Sequence, residues 1–273
     1  MKLLSIILFF FSFMSGVIYG QEGFYSLSYK MNSVVAYVEL NGIKQTESGK
    51  EGFLSGVSTG LNLWIMPGEN TLKIKLTKPQ KGKNQDNPQI KVAIRLGTAG
   101  QSTEEGKEIV SFEAPESEDS KIEFPLEKEV KFTPELIPPS SLWEKVEPTN
   151  LDSTSKKEIT ELVQALHKAA NTANVKDFFK LIEFKMQDMS KAMYSNPEEN
   201  KNDKALKEFL KTIKGKLKKL PPKLSFHPVA NGKLIFVTDS NGNDPIQSKP
   251  SQDGEFNISV YVGKIDGKWT LVR

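Results

Sequence analysis

A change of hydrophobic period partway along the chain constrains the fold more than any other feature. Up to Phe132 apolar residues recur at every second position, and from Ile159 they recur at every third or fourth. A period of two belongs to strands with one buried face, and a period of 3.6 to helices with one buried stripe. The two halves must therefore pack in different ways. In the first half Tyr25, Leu27, Tyr29 and Met31 alternate, as do Val34, Ala36, Val38 and Leu40, and later Ile90, Val92, Ile94 and Leu96. Asn41-Gly42 predicts a hairpin turn, because both residues tolerate positive φ. Gly56 and Gly60 suggest a bulge or a close backbone approach.

The run LNLWIMPGENTLKIKL at 61–76 reads as two strands joined by a tight Pro67-Gly68 turn. Leu61, Leu63 and Ile65 alternate on one arm, and Leu72, Ile74 and Leu76 on the other. The segment 78–88 is polar and reads as an exposed loop. Short strands at 109–112, 122–126 and 130–132 bring the total to about eight or nine, the pattern of a β-sandwich over 21–134. Prolines 134, 138, 139 and 148 mark a linker over 135–151, with one helical turn near Trp143.

Beyond the linker Ser155 and Glu158 fit a capping box, ahead of the stripe Ile159, Leu162, Val163, Leu166 and Ala170. Asn174 reads as the cap of a second helix carrying Phe178, Phe179, Ile182, Met186, Met189 and Met193. A third helix is expected over 204–220, stopped by Pro221-Pro222. Alternating strands with Asn231-Gly232 and Asp266-Gly267 turns then complete an α+β domain over 152–273.

Composition excludes several chemistries. The 273-residue chain has no cysteine, so disulfides, thiolate metal sites and Cys nucleophiles are ruled out. With two histidines, a three-His zinc site is excluded. A net charge of +3 is too small to mark a nucleic-acid binder. Lys2, the apolar run 3–13 and the small residues Ser15, Gly16 and Gly20 have the layout of a secretory signal peptide over 1–20. Export to the periplasm or beyond is expected, with an N-terminal membrane anchor as the alternative.

The second half resembles the NTF2-like (SnoaL-like, cystatin-like cone) family in element order and in the closing D-G-K-W at Asp266, Gly267, Lys268 and Trp269. That resemblance implies a curved sheet wrapped around a helix, leaving a conical pocket. Phe178, Tyr194, His227, Phe236, Tyr261 and Trp269 are the residues expected to line it. The first half resembles accessory β-sandwich domains of secreted proteins through P-G-x-N-x-L at Pro67, Gly68, Asn70 and Leu72.

No G-x-S-x-G, Walker loop or H-E-x-x-H occurs. Asp239, Asn241, Asn243 and Asp244 have calcium-loop spacing, but Asp244 stands where Gly is needed and Pro250 where a bidentate Glu is needed, so a polar loop is expected. Lys204, Lys207, Lys211, Lys214 and Lys218 are expected on one face of the third helix, either as a solvated face or as attraction to an anionic membrane surface. No aromatic residues interleave them to stack bases. The expectation is an exported, non-enzymatic binding or interaction module without a cofactor, taking a small apolar ligand or a protein partner. The alternatives are a cone-pocket hydrolase or isomerase using His227 and Tyr261, and an immunity-type inhibitor of a secreted toxin.

Overall fold

The computed structural model describes residues 22–79, 87–117, 120–196, 204–250 and 254–273. The expected signal segment and most of the polar loop at 78–88 lie outside them. The chain is mostly β, with antiparallel sheets throughout and its longer helices in the C-terminal half. The described residues divide into two compact units. The first runs to Trp143 and includes Ala192–Tyr194, and the second comprises Glu144–Lys191 and Ser195–Arg273.

In the first unit the strands are β1 (Phe24–Asn32), β2 (Val35–Leu40), β3 (Ile43–Glu47), β4 (Leu54–Ser58), β5 (Asn70–Thr77), β6 (Gln89–Gly97), β7 (Lys107–Ala114) and β8 (Leu126–Phe132). They form two four-stranded antiparallel sheets, in the orders β4-β1-β6-β7 and β3-β2-β5-β8. The alternating apolar residues of both sheets meet in one buried cluster that includes Leu27, Met31, Val38, Ile74, Val92 and Ile94. This arrangement is consistent with a β-sandwich. Asn41 and Gly42 take φ values of 55° and 77° at the β2–β3 turn, as a hairpin of this kind requires. Gly56 sits where a Cβ would come within 3.0 Å of the Tyr29 hydroxyl oxygen, so its role is close approach.

The outward face of the second sheet carries cross-strand ion pairs. Lys73 reaches Glu127 and Glu129, Lys75 lies 3.7 Å from Glu39, and Lys131 2.8 Å from Glu69. The paired glutamates raise the Lys73 pKa, and Lys73 in turn lowers that of Glu127.

The segment 61–65 departs from the expected hairpin. Leu61–Leu63 form a 3₁₀ turn entered through Gly60 at φ 85°, and β5 pairs with β2 and β8 instead. Leu61, Asn62, Leu63, Ile65 and Met66 are all buried, so no outward face exists for a strand to present. Asn62 explains why: its side chain accepts the Tyr25 N–H at 2.7 Å and donates to the Gly23 and Ala192 carbonyls at 2.9 and 3.0 Å. Pro67-Gly68 does form a turn, and Asn70 holds it. The Asn70 amide accepts from the Met66 N–H at 2.9 Å and donates to the Met66 and Gly68 carbonyls at 2.9 and 3.0 Å. Residues 122–125 are not in a strand either, because Pro125 offers no N–H and pairing begins at Leu126. Within the stretch expected as a linker, the Tyr25 hydroxyl donates to the Leu136 carbonyl at 2.9 Å.

In the second unit α1 (Leu142–Lys145), which spans the division, leads into β9 (Val146–Glu147). Helices α2 (Ser153–Asn171), α3 (Val175–Ala192) and α4 (Lys204–Ile213) follow, and then β10 (Ser225–Val229), β11 (Leu234–Thr238), β12 (Ile246–Gln247), β13 (Asn257–Ile258), β14 (Val260–Ile265) and β15 (Lys268–Leu271). The main sheet has the order β10-β11-β14-β15, with β9 also on β14, and β12 pairs with β13. Its core joins Ile159, Val163 and Leu166 of α2 and Phe178 of α3 to sheet residues such as Ile235, Val237, Val260 and Val262. Among the described residues no helix is long and apolar enough to cross a membrane.

Two helix boundaries differ from expectation. The cap of α2 is Asp152, whose carboxylate accepts the Ser155 N–H at 2.7 Å, so Ser155 lies inside the helix. The third helix, α4, ends at Ile213 and not near Leu220. Gly215 takes φ 72° and donates its N–H to the Asn171 carbonyl at 2.8 Å. The next residues are drawn into extended pairing, with the Lys218 N–H on the Gln247 carbonyl and the Lys249 N–H on the Lys216 carbonyl. Asn174 does cap α3, with its side-chain oxygen accepting the Asp177 N–H at 3.1 Å.

Candidate functional site

The six residues expected to share a pocket fall in three places. Phe178 and Trp269 join the helix-facing core of the second unit, and among the described residues the buried Trp269 indole N–H has no hydrogen-bond partner. His227, Phe236 and Tyr261 are register neighbours across β10, β11 and β14. Side chains alternate along a strand, and Ile235 and Val237 flank Phe236 in the helix-facing core. His227, Phe236 and Tyr261 therefore occupy the opposite face. There Phe236 stacks on Tyr261 at 4.5 Å, and the His227 ring lies 6.3 Å from Phe236. Tyr194 belongs to the first unit, where it meets Phe24 edge-on at 5.2 Å and its hydroxyl accepts the Gly23 N–H. Within the second unit, strand parity puts Phe178 and Trp269 on one side of the sheet and His227, Phe236 and Tyr261 on the other.

The polar groups singled out as chemistry are engaged in the architecture. The Thr238 hydroxyl donates to the Asp239 carbonyl, so His227 Nε2 donates to that hydroxyl at 2.9 Å. His167 Nε2 donates to the Lys218 carbonyl at 2.8 Å, tying α2 to the segment after α4. The Asp239 carboxylate accepts the N–H groups of Asn241 and Asn243, each at 2.8 Å, and closes its own loop. Burial opposes ionisation of Asp239, yet the hydrogen bonds from Asn243 and Asn241 hold its pKa below the ordinary value. Among the described residues no group of three metal-ligating side chains is placed to hold an ion. The expected five-lysine helical face reduces to Lys204, Lys207 and Lys211. Lys214 and Lys218 lie beyond the end of α4, and the Lys218 ammonium donates to Gln247 at 3.2 Å.

Sequence reasoning missed a charged cluster on α3. Asp188 and Arg273 form an ion pair at 2.8 Å with side chains 0 and 2% exposed. One turn from Asp188, half-buried Lys185 has its pKa pulled down to about 8, first by burial and then by Arg273, with Asp244 acting the other way. Asp188 occupies a helical position whose neighbours Lys185, Gln187 and Lys191 are polar, so nothing local marked it as core.

The second unit also carries a groove of about 390 Å³. One wall is Lys156, Thr160 and Gln164, spaced four apart along α2 and off its core stripe. The other side is Leu220, Pro221, Pro222, Lys223 and Leu224, with Phe226 of β10. Pro221-Pro222 therefore shapes a wall eight residues past the end of α4, rather than stopping that helix. Two consecutive prolines fix φ and remove two N–H groups, so this wall is stiff and lacks backbone donors at both positions. The i, i+4, i+8 spacing of Lys156, Thr160 and Gln164 was the available sequence signal. Which segment would face it was not readable.

No family model, curated protein or solved structure matches this chain.

Proposed function

We propose that the chain is an exported, non-enzymatic binding module whose second unit holds a small ligand in the groove between α2 and the Pro221-Pro222 segment. The groove carries this reading, since its volume of about 390 Å³ lies in the range of small-molecule sites. The fates of the titratable groups support binding over turnover. Both histidines and Asp239 are committed to neighbouring backbone or hydroxyl groups, and Asp188 is committed to Arg273. Helices α2, α3 and α4 followed by an antiparallel sheet, closed by a hairpin whose turn residues Asp266 and Gly267 take φ of 49° and 73°, support an NTF2-like second unit. The apolar run 3–13 behind Lys2 supports export.

A small-molecule screen followed by backbone amide shifts tests the reading. Ligand-induced shifts concentrated at Lys156, Gln164, Leu224 and Phe226 are expected. Shifts centred on His227 and Tyr261, with turnover of the ligand that is lost in His227→Ala, would instead establish the hydrolase or isomerase alternative. Fractionation of cells making the full chain tests location, and a cytoplasmic protein refutes export.

A further inference from the structure

We infer that the groove selects an amphipathic carboxylate, an apolar chain ending in an acid group. This rests on the binding reading above and adds the chemical class of the ligand. The apolar surface comes from Leu220, Pro221, Pro222, Leu224 and Phe226, which removes a hydrocarbon chain from water. Both charged residues of the lining, Lys156 and Lys223, are cations, and no acid lines the groove. Some exposed lysines elsewhere do pair with glutamates, as Lys91 does with Glu113 and Lys107 with Glu135. Neither Lys156 nor Lys223 has an ion-pair partner among the described residues. A carboxylate in the groove meets a lining whose charged residues are both cations, while its chain lies on the proline wall. The Thr160 hydroxyl proton is already given to the Lys156 carbonyl at 2.7 Å, so Gln164 supplies the neutral donor on that wall. A neutral ligand of the same shape gains the apolar contact and forgoes the charge. A cationic one meets repulsion.

The test titrates the full chain by calorimetry with dodecanoate, dodecanol and dodecyltrimethylammonium, each below its aggregation concentration. Dodecanoate is expected to bind about tenfold tighter than dodecanol, the cation weakest, with the preference fading at about 0.5 M salt. Both lysines are solvent-exposed, so the Lys156→Gln, Lys223→Gln double variant retains the fold, checked by circular dichroism. In it dodecanoate should fall to the affinity of dodecanol, and dodecanol should be unchanged. Equal binding of dodecanoate and dodecanol to the unaltered chain overturns the inference while leaving a binding module standing. So does a preference that survives the double variant. Absence of binding by every probe, or amide shifts away from Leu224 and Phe226, also overturns it, and the wider screen then decides separately whether the groove binds anything.

Discussion

The two units bury polar groups in contrasting ways. The first uses neutral amides: Asn41, Asn62 and Asn70 are buried, and each bridges main-chain groups that the strands leave unpaired. The second buries a full charge pair, Asp188 with Arg273. A buried amide gives up less hydration than an ion and recovers it in hydrogen bonds. A buried ion gives up several kcal/mol, about what its partner returns, so it depends on that one partner. The first unit should therefore tolerate loss of a single buried polar group better than the second.

The sharpest way to break this contrast is Asp188→Ala. It strips Arg273 of its counter-ion, and the second unit should lose about 3–5 kcal/mol in urea denaturation followed at Trp269, with Trp64 and Trp143 replaced by Phe. The pair Asp188→Leu and Arg273→Met should recover most of that loss. A mild single-variant effect sinks the contrast. Next in size is Asn62→Ala, which leaves the Tyr25 N–H and the Gly23 carbonyl without their partner and should cost the first unit about 2–3 kcal/mol. Retention of the second unit's midpoint in that variant checks that the cost is local.

The pH responses of the units should differ in sign. Lys185 titrates in the fold near 8, against an ordinary value of 10.5, so between these values the unfolded chain holds more protons. Its contribution to the second unit's stability thus rises as pH climbs from about 8 to 10.5, and Lys185→Met should remove that slope. In the first unit Tyr37 is pushed up to about 12 by burial, by the charges of Glu39 and Glu47 and by its bond to Glu39. Its contribution is complete below the ordinary 10.0 and is lost as pH rises through 12. Urea midpoints of each unit across this range, with Tyr37→Phe as the control, test both signs. The smallest effects belong to exposed groups. Asp152→Ala should shift the second unit's midpoint less than Asn62→Ala shifts the first's, and Lys73→Gln should have an effect that vanishes in high salt.

Much of the fold was legible in local pattern. Alternation located β1, β2, β5, β6 and β11, and paired positive-φ residues located the turns at Asn41-Gly42 and Asp266-Gly267. The misreadings share a cause. At 61–65, three alternating apolar residues read as one face of a strand, but Asn62 between them is also drawn inward by the backbone of Gly23, Tyr25 and Ala192. At 214–220 the leucine stripe continued in helical register, but pairing with 247–249 competed for the same backbone. The expected site residues divide for the same reason, since the sheet neighbours His227, Phe236 and Tyr261 share a face with one another and not with Phe178.

The sequence by itself determined most of the strands and the starts of the longer helices, because side-chain period and turn chemistry act over a few residues. It also determined that thiolate and three-His chemistry are absent. Only the tertiary structure decided which polar residues are spent as structure, that Asp188 meets Arg273 eighty-five positions later, and that Lys156 and Lys223 line one groove. Those outcomes depend on which face of each element is covered and by what, and that is settled by packing between segments distant in the chain.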